Sequence, residues 1–210
     1  MRLYHGTSAK HLNSILKNGL QPRGDKKGVW SHTVESRPDM VYLTTAYPLH
    51  FALSAADTRD AKLVLELNIH RLNPWRLHPD EDFLTQATRN NRPEGCPVQT
   101  KRATKWFRKR LTDYNTYWGQ SIEGLGNCCH LGPVPVNAIT RYAIIPKDWP
   151  ILMWSDPMIL TANYAIMGGY YRKLSAALFG DPVELDEVES FGNRQLPTAE
   201  DLKDIQVFRF

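Results

Sequence analysis

His5-Gly6-Thr7 sets an imidazole, a backbone without a side chain and a hydroxyl in consecutive positions, between the strand-like Arg2-Leu3-Tyr4 and a helix start at Ser8. That combination suits a ligand made of an amide and a ribose. A glycine lets a flat ring approach the main chain, its N–H and C=O can pair with a carboxamide, and the flanking imidazole and hydroxyl can reach ribose hydroxyls. As an isolated tripeptide it could equally do no more than satisfy a strand end. Tyr42, in Val41-Tyr42-Leu43-Thr44-Thr45, offers a planar ring that can stack on a ligand or serve as ordinary core. A third group is basic: Lys101, Arg102, Lys105, Arg108, Lys109 and Arg110 fall within ten residues, with Trp106 and Phe107 between them and Tyr114, Tyr117 and Trp118 beyond. On a helix, Arg102, Lys105 and Lys109 share one face, while Trp106 and Arg110 form another stripe. Cations interleaved with rings suit a phosphate backbone and stacked bases, so Lys101, Arg102, Lys105, Trp106, Arg108 and Lys109 are the candidate nucleic-acid contacts. The alternative is a solvated basic helix whose Trp106 and Phe107 plug the core.

Other chemistry finds less support. Cys128-Cys129-His130, with Cys96 or His78, has the atoms of a metal site but lacks the C-x-x-C spacing that lets two thiolates share one zinc, so no metal site is expected. No Ser-His-Asp or G-x-S-x-G arrangement appears, which sets aside the commonest hydrolase chemistry. No G-x-G-x-x-G turn links the first strand to the first helix, which sets aside a Rossmann dinucleotide site.

The elements that must position these residues follow from apolar spacing. A short strand over 2–5 leads to a helix from Ala9 to Asn18, capped by Ser8, with Leu12, Ile15 and Leu16 on one face and Asn18-Gly19 as its stop. The Gly-, Pro- and Lys-rich stretch 21–39 reads as a loop bordering a ligand, where Arg23, Lys26 and Lys27 could meet phosphates. Met40–Thr44 and Lys62–Ile69 read as strands, with a helix over 48–56 between them. Prolines 74, 79, 93 and 97 mark an insertion with limited helix at 81–88, and a further helix runs from Thr100 to about Asp113. Ile139–Ile145 is a β-branched strand, and a weak helix covers Tyr170–Leu178. This order indicates one mixed α+β domain over residues 1–210, with an insertion around 73–118 and a C-terminal extension around 150–210.

With 210 residues, 42% hydrophobic and 23% charged, the chain has the composition of a soluble globular domain and lacks the roughly 18 uninterrupted apolar residues of a membrane span. Met1 leads straight into strand-like sequence with no apolar export segment, and three cysteines are an odd number, so a cytoplasmic location with reduced thiols is expected. A net charge of +4 does not by itself mark a nucleic-acid binder. Its distribution is uneven, since the last thirty residues hold Asp181, Glu184, Asp186, Glu187, Glu189, Glu200, Asp201 and Asp204. Such a tail could fold back over the basic helix.

A strand ending in His5-Gly6-Thr7, a helix closing on Ile15-Leu16-Lys17-Asn18-Gly19-Leu20 and a strand carrying Tyr42-Leu43-Thr44 together resemble the first half of the NAD-binding core in the poly(ADP-ribose) polymerase-like, His-Tyr-Glu branch of the ADP-ribosyltransferases. The chain also resembles DarT-type DNA-modifying toxins and, more distantly, the tRNA 2′-phosphotransferases. The likeness covers residues 2–70 well and 118–146 loosely. It implies a split mixed or antiparallel sheet with peripheral helices and NAD as co-substrate. It implies that His5 and Thr7 bind ribose hydroxyls, Gly6 the carboxamide, and Tyr42 the nicotinamide face, with Thr44 in the same cofactor-binding set. It also implies a carboxylate before a late core strand that steadies positive charge on the ribose as the glycosidic bond breaks. Glu123 in Gly119-Gln120-Ser121-Ile122-Glu123-Gly124 is the candidate, with Glu66 and Glu94 as fallbacks and Gln120 as an acceptor contact. The expected activity is mono-ADP-ribosyl transfer to RNA or DNA by a toxin or phage-defence effector with an antitoxin partner. The alternatives are a protein acceptor, NAD-dependent RNA 2′-phosphate removal, or a non-catalytic nucleic-acid-binding module.

Overall fold

A computed structural model describes residues 1–25, 36–55, 59–83, 94–98, 100–110, 116–149, 164–183 and 200–210. Those residues form a mixed α+β fold around one antiparallel sheet of seven strands. The strands are β1 (Arg2–Ser8), β2 (Met40–Thr44), β3 (Lys62–Asn68), β4 (Leu77–Pro79), β5 (Asn127–Leu131), β6 (Ile139–Ile145) and β7 (Gln206–Arg209), in the spatial order β4-β5-β2-β1-β3-β6-β7. Helices α1 (Leu12–Asn18), α2 (Pro48–Ala55), α3 (Thr100–Arg110), α4 (Trp118–Leu125) and α5 (Tyr164–Leu178) pack around it. Among the described residues, no helix is long and apolar enough to cross a membrane.

The pairing divides the sheet. β1 pairs with β3 from Arg2↔Asn68 to Ser8↔Lys62, and β2 pairs with β5 from Met40↔Leu131 to Thr44↔Asn127. Between β1 and β2 the register holds the single pair Tyr4↔Thr44. Two well-paired halves, β4-β5-β2 and β1-β3-β6-β7, therefore meet at one residue pair.

Alternation along β1 and β3 sends side chains to two cores. On one face Tyr4, Val64, Ala143 and Ile145 pack with Leu49 and Ala52 of α2 and with Tyr170, Tyr171, Leu174 and Leu178 of α5. On the other, Leu3, Leu63, Leu65, Leu67, Val41 and Leu43 pack with Ile15 of α1, Leu20 and Val134. β3 lies between covered faces, so even Lys62 is buried; its ammonium donates to the Lys147 carbonyl at 3.1 Å. Two glycines are required by space. A Cβ on Gly6 would lie 2.1 Å from the Pro48 carbonyl oxygen and 2.4 Å from the Ala52 nitrogen, so the bare backbone at Gly6 is what lets α2 lie on β1. Gly19, at φ +73°, closes α1 and abuts Val134, whose bridge to Leu20 follows.

The observed boundaries refine the expected ones. β1 runs on to Ser8, and the first helix opens with a 3-10 turn over Ala9–His11, whose Lys10 N–H bonds the Ser8 hydroxyl, before α1 begins at Leu12. Met40–Thr44 and Ile139–Ile145 are strands at the anticipated limits. Leu77–Pro79 enters the sheet as an edge strand, so the segment expected as an insertion contributes to the core sheet. The expected extension likewise supplies β7 and α5, because Tyr170, Tyr171, Leu174 and Leu178 complete the core over α2. The ends of the helices expected at 81–88 and 100–113, with Lys26 and Lys27, lie outside the described residues.

Candidate functional site

The single-pair junction between β1 and β2 brings His5 to Tyr42. The His5 Nδ1 lies 2.8 Å from the Tyr42 carbonyl oxygen. A carbonyl only accepts, so Nδ1 carries the proton. Burial keeps the imidazole below its ordinary pKa despite this bond, which makes the neutral ring the resting form at pH 7 and leaves Nε2 as an acceptor suited to a hydroxyl. Because Gly6 faces α2, strand alternation sends half-buried His5 and Thr7 to the opposite side.

Tyr42 leaves β2 on the other face. It shares the register side of Thr44 and Tyr4, and its ring packs against a cluster of Met40, Cys129, Cys96 and Ala103, with Phe83 and Trp106 beside it. The phenolic hydroxyl donates to the Glu81 carboxylate, 2.7 Å from Oε1 and 2.9 Å from Oε2, and accepts from the Arg37 backbone N–H at 2.6 Å. The same N–H lies 3.2 Å from Glu81 Oε1. Burial, then the neighbouring Glu81 carboxylate, push the Tyr42 phenol far above its ordinary pKa, so it stays protonated. Glu81 itself is pushed up by burial against the bonds it accepts from Tyr42 and Arg37. Asp80 is raised by burial and by the adjacent Asp82 and Glu81 charges. Glu81, Asp80 and Arg37 were absent from the sequence-based candidates. The acidic run after Pro79 reads as a helix N-terminus, and nothing in it announces a partner 39 residues away.

The remaining candidates separate. Thr44 is fully buried; its hydroxyl donates to the Gly126 carbonyl at 3.1 Å and accepts the Ala46 and Tyr47 N–H groups, which makes it the former of the turn into α2 rather than a group presented to a ligand. Glu123 sits exposed on α4, a helix packed on β4, β5 and α5. No hydrogen bond or ion pair among the described residues joins it to His5, Thr7 or Tyr42. Gln120 is exposed on the same helix, while the intervening Ser121 is buried, its hydroxyl accepting from the Asp80 N–H at 3.0 Å and donating to the Asn127 carbonyl at 2.8 Å. The fallback Glu66 belongs to a structural network: Arg141 and Arg2 pair with it, the Thr140 hydroxyl bonds it, and Asp181 pairs with both arginines. Glu94 is exposed. Arg23 donates to the carbonyls of Ser36 and Gly24, which spends its guanidinium on the loop.

Helix α3 is amphipathic, as its sequence implied. Ala103 is buried and half-buried Trp106 packs in the Tyr42 cluster, while Arg102, Lys105, Lys109 and Arg110 are exposed and the Arg110 guanidinium lies 4.3 Å over the Trp106 ring. The side chains of Lys101, Phe107 and Arg108 lie outside the described residues. The basic helix thus covers the strand that carries Tyr42. Of the acidic tail, Asp181 pairs with Arg2 and Arg141 rather than with α3, and residues 184–199 lie outside the described residues. In the Cys128-Cys129-His130 run, β5 sends neighbouring side chains to opposite faces, which keeps the two thiols apart; Cys129 donates to the Pro79 carbonyl and burial raises both thiol pKa values.

No protein-family model and no curated protein matches the chain. Among solved structures, one named EcPltA aligns with 68% of this chain and 74% of its own length, at 12% sequence identity and a TM-score of 0.37.

Proposed function

We propose that the chain is an NAD-dependent mono-ADP-ribosyltransferase acting on a nucleic acid, with NAD seated at the junction of β1 and β2. What supports this reading is the bond from His5 to the Tyr42 carbonyl. It ties together the two strands whose motifs resemble the NAD-binding core, at the one place where the sheet is joined by a single pair. Because His5 and Tyr42 leave the sheet from opposite faces, the reading requires NAD to enter where β1 and β2 run beyond their single pair Tyr4↔Thr44, with its ribose on the imidazole and its nicotinamide on the phenol ring. Neutral His5 would accept a ribose hydroxyl through Nε2, Thr7 would contact the neighbouring sugar, and the Gly6 main chain would pair with the carboxamide.

In the reaction, the bond between the ribose C1′ and the nicotinamide nitrogen breaks, and its electron pair leaves with nicotinamide. Positive charge then develops on the ribose, and an acceptor oxygen or nitrogen closes a new bond to C1′ and releases its proton. Glu123 is the carboxylate assigned to that positive charge, an electrostatic role that needs no covalent intermediate. The acceptor reading rests on α3, whose exposed cations flank Tyr42's strand and suit a phosphate backbone.

The experiment is incubation with labelled NAD and, separately, RNA, single-stranded DNA and cell protein, followed by mass analysis of each acceptor and of free nicotinamide. The proposal expects ADP-ribose on a nucleic acid with an equal amount of nicotinamide. Adducts confined to protein would replace the acceptor, and loss of a 2′-phosphate from RNA would replace the reaction. Absence of nicotinamide release in every mixture would overturn the enzyme reading.

A further inference from the structure

The Tyr42 hydroxyl is held from two sides. It donates to both oxygens of Glu81 and accepts the Arg37 N–H, while the Arg37 side chain is anchored by Asp39, with Nε 2.9 Å from Oδ1. Glu81 is buried at 5% exposure, where a hydrogen bond to a carboxylate is stronger than in water. Tyr42 is half-buried, and its ring packs against the cluster of Met40, Cys96, Cys129 and Ala103. Two consequences follow. The ring plane is fixed by contacts at both ends, and a phenol donating to a carboxylate gains electron density that makes its face more negative. An electron-rich face attracts a flat cation more than a flat neutral ring of the same shape. The nicotinamide ring of oxidised NAD is cationic; that of the reduced cofactor is neutral.

We propose that Glu81 is a positioning and specificity residue. Through the Tyr42 hydroxyl it orients the stacking ring and tunes it to a cationic nicotinamide, so that the pocket takes oxidised NAD in preference to the reduced form. The inference rests on the NAD reading above and adds to it a residue on β4's exit, outside both motifs that carry the resemblance.

The test is calorimetric titration of the full chain with NAD and, separately, with its reduced form, for the wild type, Glu81→Gln, Tyr42→Phe and the double variant. Gln keeps an acceptor for the hydroxyl and removes the charge; Phe keeps the ring and removes the hydroxyl. The wild type is expected to prefer oxidised NAD by about three- to thirty-fold, the span of a cation–π contact. Either single variant should reduce that preference while still binding NAD, and the double variant should lose nothing further, because both changes act through one bond. A merely structural Glu81 would weaken both ligands alike. A preference unchanged in Glu81→Gln and Tyr42→Phe, with NAD still bound, would overturn the role of Glu81 and leave the NAD reading standing. Failure of the wild type to bind either form would overturn both.

Discussion

Gly6→Ala separates a glycine kept for packing from one kept for a ligand. The added methyl would lie 2.1 Å from the Pro48 carbonyl oxygen and 2.4 Å from the Ala52 nitrogen, both main-chain atoms of α2. Ordinary contact begins near 3.4 Å, so α2 would have to retreat from β1 by roughly 1 Å, loosening Leu49 and Ala52 in the core they share with Tyr4 and Val64. Overpacking against backbone sits at the upper end of the usual range, about 3 kcal/mol. In a chain of this length that lowers the melting temperature by roughly 6–12 °C. Gly119 is the internal control, a helical glycine on α4 with nothing within 4 Å of its added Cβ. Gly119→Ala should stabilise by about 0.5–1 kcal/mol and raise the melting temperature by a few degrees. Thermal unfolding followed by far-ultraviolet circular dichroism at pH 7 measures both. A Gly6→Ala protein that melts within about 2 °C of the wild type but no longer binds NAD would refute the packing argument and return Gly6 to the ligand alone.

Glu66→Ala should cost about 3 kcal/mol by denaturant unfolding, the low end for a broken buried pair, since it removes the closer carboxylate of partly buried Arg141 and leaves it Asp181. Burial pushes the Glu66 carboxyl up, but the bonds from Arg141 and Thr140 hold it below its ordinary value overall. A depressed folded-state pKa stabilises fully above the unfolded value and is lost as pH falls through the folded one, so the gap between wild type and Glu66→Gln should narrow below about pH 4. Asp80 has the opposite sign: burial, then the Asp82 and Glu81 charges, raise its pKa, so its ionisation costs stability as pH rises above the ordinary aspartate value. Asp80→Asn keeps an acceptor for the Asp82 N–H and should melt higher than the wild type at pH 7, with the difference fading near pH 3.5, about where an unfolded aspartate protonates; equal melting at neutral pH would show that Asp80 is not ionised at a penalty there. If α3 tracks phosphates, Lys105→Ala with Lys109→Ala should reduce the slope of log affinity against log salt for single-stranded nucleic acid by about 1.4, and an unchanged slope would make those lysines ordinary surface.

Elements built from β-branched and aliphatic runs were legible. Met40–Thr44 and Ile139–Ile145 are strands at the limits their composition implies. Asn127–Leu131 escaped because Cys128, Cys129 and His130 are all buried, which erases the alternation that marks a half-exposed strand. Leu77–Pro79 escaped because Pro79 argues against a central strand; it is tolerated at the edge of the sheet, where β4 lies. Of the candidate residues, the structure joins His5 to Tyr42 and leaves Glu123 apart on α4. His5 and Tyr42 stand out because each ends or centres a recognisable strand, and the structure bonds one to the other. Glu81 was not among the candidates because its bond to Tyr42 depends on a fold that brings the exit of β4 over β2, a relation carried by β5 and by no local pattern. The hydrogen bonds of Thr44, in the same strand as Tyr42, were illegible for a related reason: motif position says nothing of the turn whose N–H groups its hydroxyl holds.

The most direct test of the central claim is the rate of nicotinamide release from NAD, followed by chromatography in the presence of RNA and single-stranded DNA, for the wild type, Tyr42→Ala and Glu123→Gln. NAD-dependent transfer predicts measurable release by the wild type, a raised KM in Tyr42→Ala, and a fall in kcat with NAD affinity kept in Glu123→Gln. Release that is undetectable in the wild type, or identical in all three proteins, would contradict it.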